Sequence, residues 1–155
     1  MKVVAIVPAR SGSKGLPDKN IAKIGDKTLI ELAVNVGINS QLVDDVFVST
    51  DDLIYEQIAL KAGAKSLGLR PPELSGDTTK TWEVLNEMIP HFETEYDLIV
   101  LLQPTSPVRK PEEVDQMIRI LYESINDSCV SVYTVDEPSP YKMKKIDSRG
   151  MVVSL

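Results

Sequence analysis

The sequence predicts an α/β fold in which a mostly parallel sheet lies between two layers of helices. Short continuous apolar segments rich in β-branched residues recur along the chain, as expected of strands covered on both faces. Segments with apolar residues at helical spacing follow them, and strands that alternate with helices form parallel sheets. We therefore predict a three-layer α/β/α arrangement that binds ligands beyond the carboxyl ends of its strands.

The first half of the chain contains two predicted strands and two predicted helices. Val3–Val7 is a continuous apolar run stopped by Pro8 and predicts the central strand. Thr28 and Glu31 have the spacing of a capping box and mark the start of a helix. Val46–Val48 predicts a second strand, and the polar residues after it open a second helix. The predicted apolar faces comprise Leu29, Leu32, Ala33 and Val36 in the first helix and Ile54, Ile58 and Ala62 in the second.

The second half of the chain continues this alternation after a long polar connection. The predicted elements are a short strand at Ala64–Leu67, the connection Gly68–Thr81, a helix with Trp82, Leu85 and Ile89, a buried strand at Leu98–Leu102, a helix from Pro111 with Val114, Met117, Ile118, Leu121 and Ile125 on its apolar face, and strands at Cys129–Val135 and Met151–Leu155. We expect Trp82 and Cys129 in the core and Asp77 or Thr78 near the cap of the helix after the connection. The connection itself is a candidate binding loop.

The composition narrows the class of protein. The 155 residues, 43% of them hydrophobic, fit a single domain over residues 1–155. With 17 basic and 23 acidic side chains the net charge is −6, so we expect neither nucleic acid nor a membrane surface as a partner. The single cysteine cannot form an internal disulfide, and the apolar N-terminal stretch is too short to span a bilayer. These features predict a cytoplasmic protein.

The loop after the first predicted strand carries the strongest functional signal. Three cations and two glycines lie between Pro8 and Asn20, in the segment PARSGSKGLPDKN. Glycines let backbone N–H groups turn toward an anion, and Arg10 can bind phosphate oxygens with two N–H groups at once. Lys14 and Lys19 add point charges. The loop is therefore predicted to bind a polyphosphate.

Two common phosphate-binding motifs do not fit this loop. A P-loop requires Gly-Lys followed by Ser or Thr, whereas Lys14 is followed by Gly15 and Leu16. A dinucleotide-binding loop requires G-x-G-x-x-G, which Gly12 and Gly15 do not supply. P-loop kinases and enzymes that bind nicotinamide cofactors are therefore excluded.

The loop resembles the first loop of the acylneuraminate cytidylyltransferase family, the enzymes that activate sialic acids. Three further stretches are similar to the same family, in the same order and at the same spacing. They are Val48–Asp51, Arg70–Ser75 with Asp77 and Thr78, and Leu101–Pro107 with Arg109. The resemblance covers nearly the whole chain. Relatives that use legionaminic or pseudaminic acid are not distinguished by these motifs.

The resemblance implies a fold, a reaction and a set of site residues. The fold is a Rossmann-like nucleotidyltransferase of the nucleotide-diphospho-sugar transferase type. In the reaction, the anomeric hydroxyl of a nine-carbon 2-keto sugar acid attacks the α-phosphorus of CTP, with Mg²⁺, to give a CMP-sugar and pyrophosphate. A homodimer is implied as well. The implied contacts are Arg10, Ser13, Lys14 and Lys19 at the triphosphate, with Arg10 and Lys19 as catalytic residues, Asn20 near the ribose, Arg70, Thr79 and Thr81 around the cytosine, and Gln103 at the sugar acid.

Several residues and functions stay open at this point. Arg70 alone also fits a loop cation lying over apolar surface, and Gln103 also fits a structural amide. The family's Asp-x-Asp pair for magnesium is absent, so no metal ligand is assigned, and we expect residues 1–155 to represent about the N-terminal two-thirds of the family domain. The alternatives are a catalytically silent CTP-binding module and a cytidylyltransferase for another sugar acid such as 3-deoxy-manno-octulosonate.

Overall fold

Four parallel strands form the main sheet of the protein. The computed structural model describes residues 1–13, 15–132 and 144–154. The strands are β1 Val3–Pro8, β2 Lys23–Ile24, β3 Lys27–Thr28, β4 Asp45–Ser49, β5 Lys65–Ser66, β6 Leu98–Leu101, β7 Lys144–Ile146 and β8 Val152–Ser154. The helices are α1 Leu29–Asn39, α2 Leu53–Lys61, α3 Thr81–Met88 and α4 Pro111–Tyr122, with 3-10 turns at Lys19–Ile21, Pro72–Leu74 and Ile89–His91.

The sheet has the strand order β5-β4-β1-β6, and every neighbouring pair is parallel. Ala5 of β1 lies opposite Val46 of β4 on one side and Val100 of β6 on the other. β1 is buried over Val3–Val7, which confirms the predicted central strand. Because all four strands run the same way, their carboxyl ends meet at one edge of the sheet.

Alternate residues of β1 face two separate hydrophobic clusters, as the pleat of a strand requires. Val3, Ala5 and Val7 pack in one cluster, and Val4 and Ile6 pack in the other. The first cluster includes residues of α1, α2 and α4, and the second includes residues of α3. Helices therefore cover both faces, and the predicted three-layer α/β/α fold is confirmed.

The start of α1 agrees with the sequence pattern. Thr28 Oγ1 accepts a hydrogen bond from the Glu31 backbone N–H at 3.2 Å, and the Glu31 carboxylate accepts one from the Thr28 N–H at 2.7 Å. The bond from the Thr28 backbone lowers the pKa of Glu31. Further along α1, Gly37 allows a close approach to the sheet, because a Cβ there would lie 2.8 Å from a methyl group of Val46.

The buried face of α2 agrees with the predicted one at two of its three residues. Ile58 and Ala62 are partly buried against the first hydrophobic cluster, whereas Ile54 is 61% exposed. Tyr55 and Ala59 are the fully buried residues of this helix. The Asp52 carboxylate fixes the helix start, accepting hydrogen bonds from the N–H groups of Ile54 and Tyr55 at 2.8 and 3.1 Å.

The first turn of α3 also differs from the prediction. α3 begins at Thr81, and the Lys80 backbone N–H at its cap position donates to the Glu83 carboxylate at 2.6 Å. Asp77 and Thr78 lie outside this cap, so the predicted capping role is wrong. Trp82 is 56% exposed and not in the core, because α3 turns Val84 and Met88 toward the sheet.

The segments after β6 are less strand-like than predicted. β6 is only half-buried, because it lies at the edge of the sheet that the described residues form. Residues 129–132 form no strand, so the prediction for Cys129–Val135 is wrong there, and 133–135 lie outside the described residues. Cys129 is half-buried, and Ile125 is exposed beyond the end of α4. The predicted final strand is formed as β8, which pairs antiparallel with β7.

No helix in the described ranges has both the length and the apolar character that a membrane crossing requires.

Asp115, a buried carboxylate of α4, ties this helix to the loop after α1. It accepts hydrogen bonds from the Ser40 hydroxyl and from the backbone N–H groups of Gln41 and Leu42, the last at 3.2 Å. Burial raises the pKa of Asp115, but these hydrogen bonds outweigh burial and leave the pKa below its ordinary value. The charged form of Asp115 therefore stabilises the fold.

Replacing Asp115 with Asn is expected to lower the free energy of unfolding at neutral pH by about 1.5–3 kcal/mol, the range for hydrogen bonds to a charged group. Because the folded-state pKa lies below the ordinary value of 3.8, the wild-type advantage is complete well above pH 3.8 and is lost as the pH falls through the folded-state pKa. Urea unfolding across this pH range measures the difference, with Asp127→Asn at an exposed position as the control. A difference that does not depend on pH would contradict the assignment.

Candidate functional site

The loops that follow β1, β4, β5 and β6 converge at the carboxyl edge of the sheet. Arg10 follows β1, Asp51 follows β4, Arg70 follows β5 and Gln103 follows β6. The predicted site residues that the structure describes belong to these loops and to the segments that continue them. Lys14, which the resemblance places at the triphosphate, lies outside the described residues.

The glycine-containing loop is attached to the end of β4 by three hydrogen bonds. The Ala9 N–H donates to the Ser49 carbonyl at 2.9 Å. The backbone N–H and the hydroxyl of Ser11 donate to the two oxygens of Asp51 at 2.7 and 2.9 Å. Gly12 follows with a φ of 63°, a conformation that glycine adopts without strain. The loop therefore leaves the sheet along a fixed path.

Arg10 forms an ion pair with Asp77, which lies 67 residues further along the chain. The Arg10 Nη2 lies 2.6 Å from the Asp77 Oδ1, and both side chains are about one-third exposed. The pair joins the glycine-containing loop to the polar connection after β5. Asp77, predicted as a helix cap, is instead the counter-ion of Arg10, a residue predicted to bind phosphate.

Asn20 and Lys19 lie on the 3-10 turn that ends the loop. Asn20 is buried, and its side-chain amide donates to the Arg10 carbonyl at 2.9 Å, which closes the loop on itself. Lys19 is half-buried at the start of the turn, and Ser13 is half-buried within the loop. The structure thus assigns Asn20 a bracing contact that the sequence did not predict.

Arg70 is 8% exposed, so it is not a cation lying over the protein surface. Its Nε donates to the Ser49 hydroxyl at 3.1 Å, and its Nη2 donates to the Ser49 carbonyl at 2.6 Å. Burial lowers the pKa of Arg70, Asp51 opposes this effect, and Arg10 adds to it. These interactions place Arg70 within electrostatic reach of the glycine-containing loop.

The remaining predicted contacts lie on the other two loops. Thr79 and Thr81 are half-buried at the end of the polar connection, where the Thr79 N–H donates to the Gly76 carbonyl at 3.3 Å. The Gln103 side chain is exposed after β6, and the backbone carbonyl of Gln103 accepts hydrogen bonds from Arg109 Nη2 and from the Ser106 N–H. Burial lowers the pKa of Arg109. Arg109 therefore fixes the loop that presents Gln103.

Two cavities lie on different edges of the molecule. The smaller one, of about 170 Å³, adjoins Arg70 and is also lined by Ser49, Glu87 and His91. His91 is exposed, with its Nε2 3.6 Å from the Glu87 carboxylate. The larger cavity, of about 510 Å³, is lined by Met1, Asp97, Leu98, Leu121, Tyr122, Asn126 and Asp127. It contains none of the predicted site residues, so the site is assigned from the converging loops.

The described part of the chain does not form a magnesium site by itself. No group of three or more His, Cys, Asp or Glu side chains with a metal-binding arrangement occurs within it. The carboxylates nearest the loop have other partners: Asp51 accepts from Ser11, Asp77 pairs with Arg10, and Asp18 accepts from Tyr55. Oxygen ligands that are already bonded in this way do not provide the shell that a hard cation needs.

Sequence reasoning missed Tyr55 and Asp18. Tyr55 is buried in α2, and its hydroxyl donates to Asp18 Oδ1 at 3.0 Å. Burial, followed by the hydrogen bond to Asp18, raises the pKa of Tyr55 to about 12, so the phenol stays protonated. One feature of the sequence pointed to Tyr55 as a residue near the site. It lies in the first turn of a helix that directly follows one of the site loops.

A parallel α/β sheet with a cationic, glycine-containing loop at its carboxyl edge is an arrangement typical of nucleotide-binding domains. The chain belongs to the cytidylyltransferase family, whose model matches residues 4–146. The resemblance inferred from the motifs is thereby confirmed.

Named relatives and solved structures agree with this family. The chain is 36% identical over 157 residues to an N-acylneuraminate cytidylyltransferase of Streptococcus agalactiae, covering 100% of this chain and 37% of the relative. It is 33% identical over 156 residues to the CMP-N,N'-diacetyllegionaminic acid synthase of Legionella pneumophila, covering 99% and 66%. A structure of CMP:2-keto-3-deoxy-manno-octonic acid synthetase complexed with CTP matches with a TM-score of 0.68 and 27% identity, covering 79% of this chain and 48% of that one. The chain thus spans well under half the length of the first of these relatives.

Replacing Arg70 with Lys is expected to lower the free energy of unfolding by about 1.5–3 kcal/mol without any nucleotide, because an ammonium cannot replace both bonds to Ser49. Chemical denaturation measures this loss, with Arg119→Lys at an exposed position of α4 as the matched control. If Arg70→Lys unfolds at the same denaturant concentration as the wild type, the bonds to Ser49 do not contribute to stability.

Proposed function

We propose that the chain is the nucleotide-binding part of a cytidylyltransferase that joins CTP to a sialic-acid-like, nine-carbon 2-keto sugar acid, releasing pyrophosphate. The observation that carries the proposal is the glycine-containing loop, which presents Arg10 and Lys19. The loop is held in place by the hydrogen bonds from Ser11 to Asp51 and from Asn20 to the Arg10 carbonyl. The names of the relatives, which are sialic and legionaminic acid enzymes, support the choice of substrates.

Lys19 and Arg10 have different tasks in this proposal. Within the described ranges, the Lys19 ammonium has no hydrogen-bond or ion-pair partner, which leaves it available to a phosphate oxygen. Arg10 already binds an anionic oxygen, that of Asp77, so a phosphate oxygen must replace or share this carboxylate. Because the pair is partly exposed, separating it costs little. Both cations would stabilise the negative charge that develops during transfer of the α-phosphoryl group.

The other predicted contacts complete the proposed site. Arg70, fixed on Ser49, has N–H donors beyond the two bonded there, and with Thr79 and Thr81 it would border the cytosine. Gln103, exposed at the end of β6, would contact the sugar acid, whose hydroxyl attacks the α-phosphorus. We propose Mg²⁺ as the cofactor, although the described carboxylates do not form a site for it by themselves. We also propose a homodimer and a cytoplasmic location.

A second candidate substrate is 3-deoxy-manno-octulosonate. The likeness to the CTP complex of CMP:2-keto-3-deoxy-manno-octonic acid synthetase, with its TM-score of 0.68, favours this shorter acid. The two candidates share the nucleotide and the reaction, and they differ only in the acid that attacks. A comparison of acids therefore separates them.

Replacing Arg10 or Lys19 with Ala is expected to weaken CTP binding by about 1.5–3 kcal/mol each, since each variant loses a charged hydrogen bond to phosphate. Titration calorimetry measures the affinity. Lys61→Ala, which removes an exposed cation at the end of α2, is the matched control and should bind CTP as the wild type does. Unchanged affinity in both loop variants would refute the phosphate role of the loop.

Incubation with CTP, Mg²⁺ and one sugar acid at a time is expected to release pyrophosphate and form the CMP-sugar. N-acetylneuraminate, the legionaminic and pseudaminic acids and 3-deoxy-manno-octulosonate are compared, and we expect a nine-carbon acid to react fastest. UTP and GTP should not compete with CTP. CTP binding without turnover of any acid would instead favour a catalytically silent CTP-binding module, and competition by UTP would show that the assigned base is wrong.

A further inference from the structure

Asp18 has an unusual backbone conformation immediately before Lys19. Its φ of 51° and ψ of 29° are left-handed, and among the described residues it is the one non-glycine with a positive φ. Side chains make this conformation unfavourable, although Asp tolerates it better than most residues. The Asp18 carbonyl accepts hydrogen bonds from the N–H groups of Ile21 and Ala22, which starts the 3-10 turn that carries Lys19. The direction of Lys19 therefore depends on the conformation of Asp18.

Tyr55 is a rigid support for Asp18. Its ring is buried in the hydrophobic cluster beneath β1, and its backbone N–H is bound to Asp52 in the first turn of α2. From this fixed position the hydroxyl reaches Asp18 Oδ1 at 3.0 Å. A buried hydroxyl needs a partner, and Asp18 provides it.

The turn is consequently fixed at both ends. Asn20 ties one side to the Arg10 carbonyl, and Asp18 ties the other side to the hydrophobic core through Tyr55. Lys19 lies between these two attachments. The ring of Tyr55 packs in the hydrophobic core, whereas its hydroxyl contacts only Asp18 of the loop among the described residues.

We propose that Tyr55 and Asp18 form a latch that positions Lys19 for the triphosphate of the nucleotide. This inference rests on the proposed function, in which Lys19 binds phosphate. In this proposal both residues act through Lys19 and are positioning residues.

Tyr55→Phe tests the latch because it removes only the hydroxyl. CTP affinity, measured by calorimetry, is expected to fall about fivefold because Lys19 is no longer held in position. The thermal midpoint is expected to fall by about 2–4 °C, the effect of one lost hydrogen bond, and by a similar amount in the control variant. Tyr96→Phe is the matched control. The Tyr96 hydroxyl also donates to a carboxylate, that of Asp45, but at the opposite end of β4, so this variant should bind CTP as the wild type does.

Two further measurements separate positioning from general stability. In a Lys19→Ala background, Tyr55→Phe should cause no additional loss of CTP affinity, because the residue that the latch positions is gone. Asp18→Asn keeps an acceptor and tolerates the left-handed conformation, so it should retain wild-type affinity, whereas Asp18→Gly keeps the conformation but loses the acceptor and should match Tyr55→Phe.

The results distinguish failure of the latch from failure of the proposed function. If the wild type binds CTP and Tyr55→Phe binds it equally well, the latch is overturned and the proposed function stands. Equal losses with and without Lys19, or an Asp18→Asn variant as weak as Asp18→Gly, would also overturn the latch. If the wild type does not bind CTP, the proposed function is overturned and the latch with it.

Discussion

The candidate site depends on the hydrogen bonds made by Ser49 and Asp51 at the carboxyl end of β4. Ser49 accepts hydrogen bonds from the backbone of Ala9 and from the guanidinium of Arg70, and Asp51 accepts two from Ser11. Two loops that are far apart in sequence are thereby bound to the same short stretch of strand end. The parallel pairing of β1 with β4 brings this stretch beside the glycine-containing loop, so the burial of β1 ultimately fixes the site.

The site also explains how an acidic chain can offer a binding place for an anion. The net charge of −6 disfavours anions at long range, but three carboxylates at this edge are already bonded to donors within the protein. Asp51 orients Ser11, Asp18 accepts from Tyr55, and Asp77 neutralises Arg10. Of the three, Asp77 is the one that would compete directly with a phosphate oxygen in the proposed function. The acidic residues therefore hold the loop in its conformation. The electrostatic potential at the loop depends on which of these carboxylates a ligand displaces.

The sequence was sufficient to predict the strands β1 and β4, the capping box at Thr28 and the position of the glycine-containing loop, because each depends on residues close together in the chain. The exposure of Ile54 was not predictable from the apolar pattern, since Tyr55, the next residue along the chain, is buried in its place. The ion pair of Arg10 with Asp77 has no local signal at all. Interactions that fix the site across long sequence distances become visible only in the fold.

Several residues that the motifs assign to the ligand are already bonded within the protein. Asn20 is bound to the Arg10 carbonyl and Arg70 to Ser49, so their positions do not have to be ordered when a nucleotide binds. Because binding affinity is reduced by every group that must be immobilised, such pre-ordering favours association. In the proposed reaction, the same constraint would place donors before charge develops on the reacting phosphate, which is the condition for electrostatic stabilisation of a transition state. The contact that a triphosphate would have to rearrange is the Arg10–Asp77 pair, and because both side chains are partly exposed this rearrangement costs little.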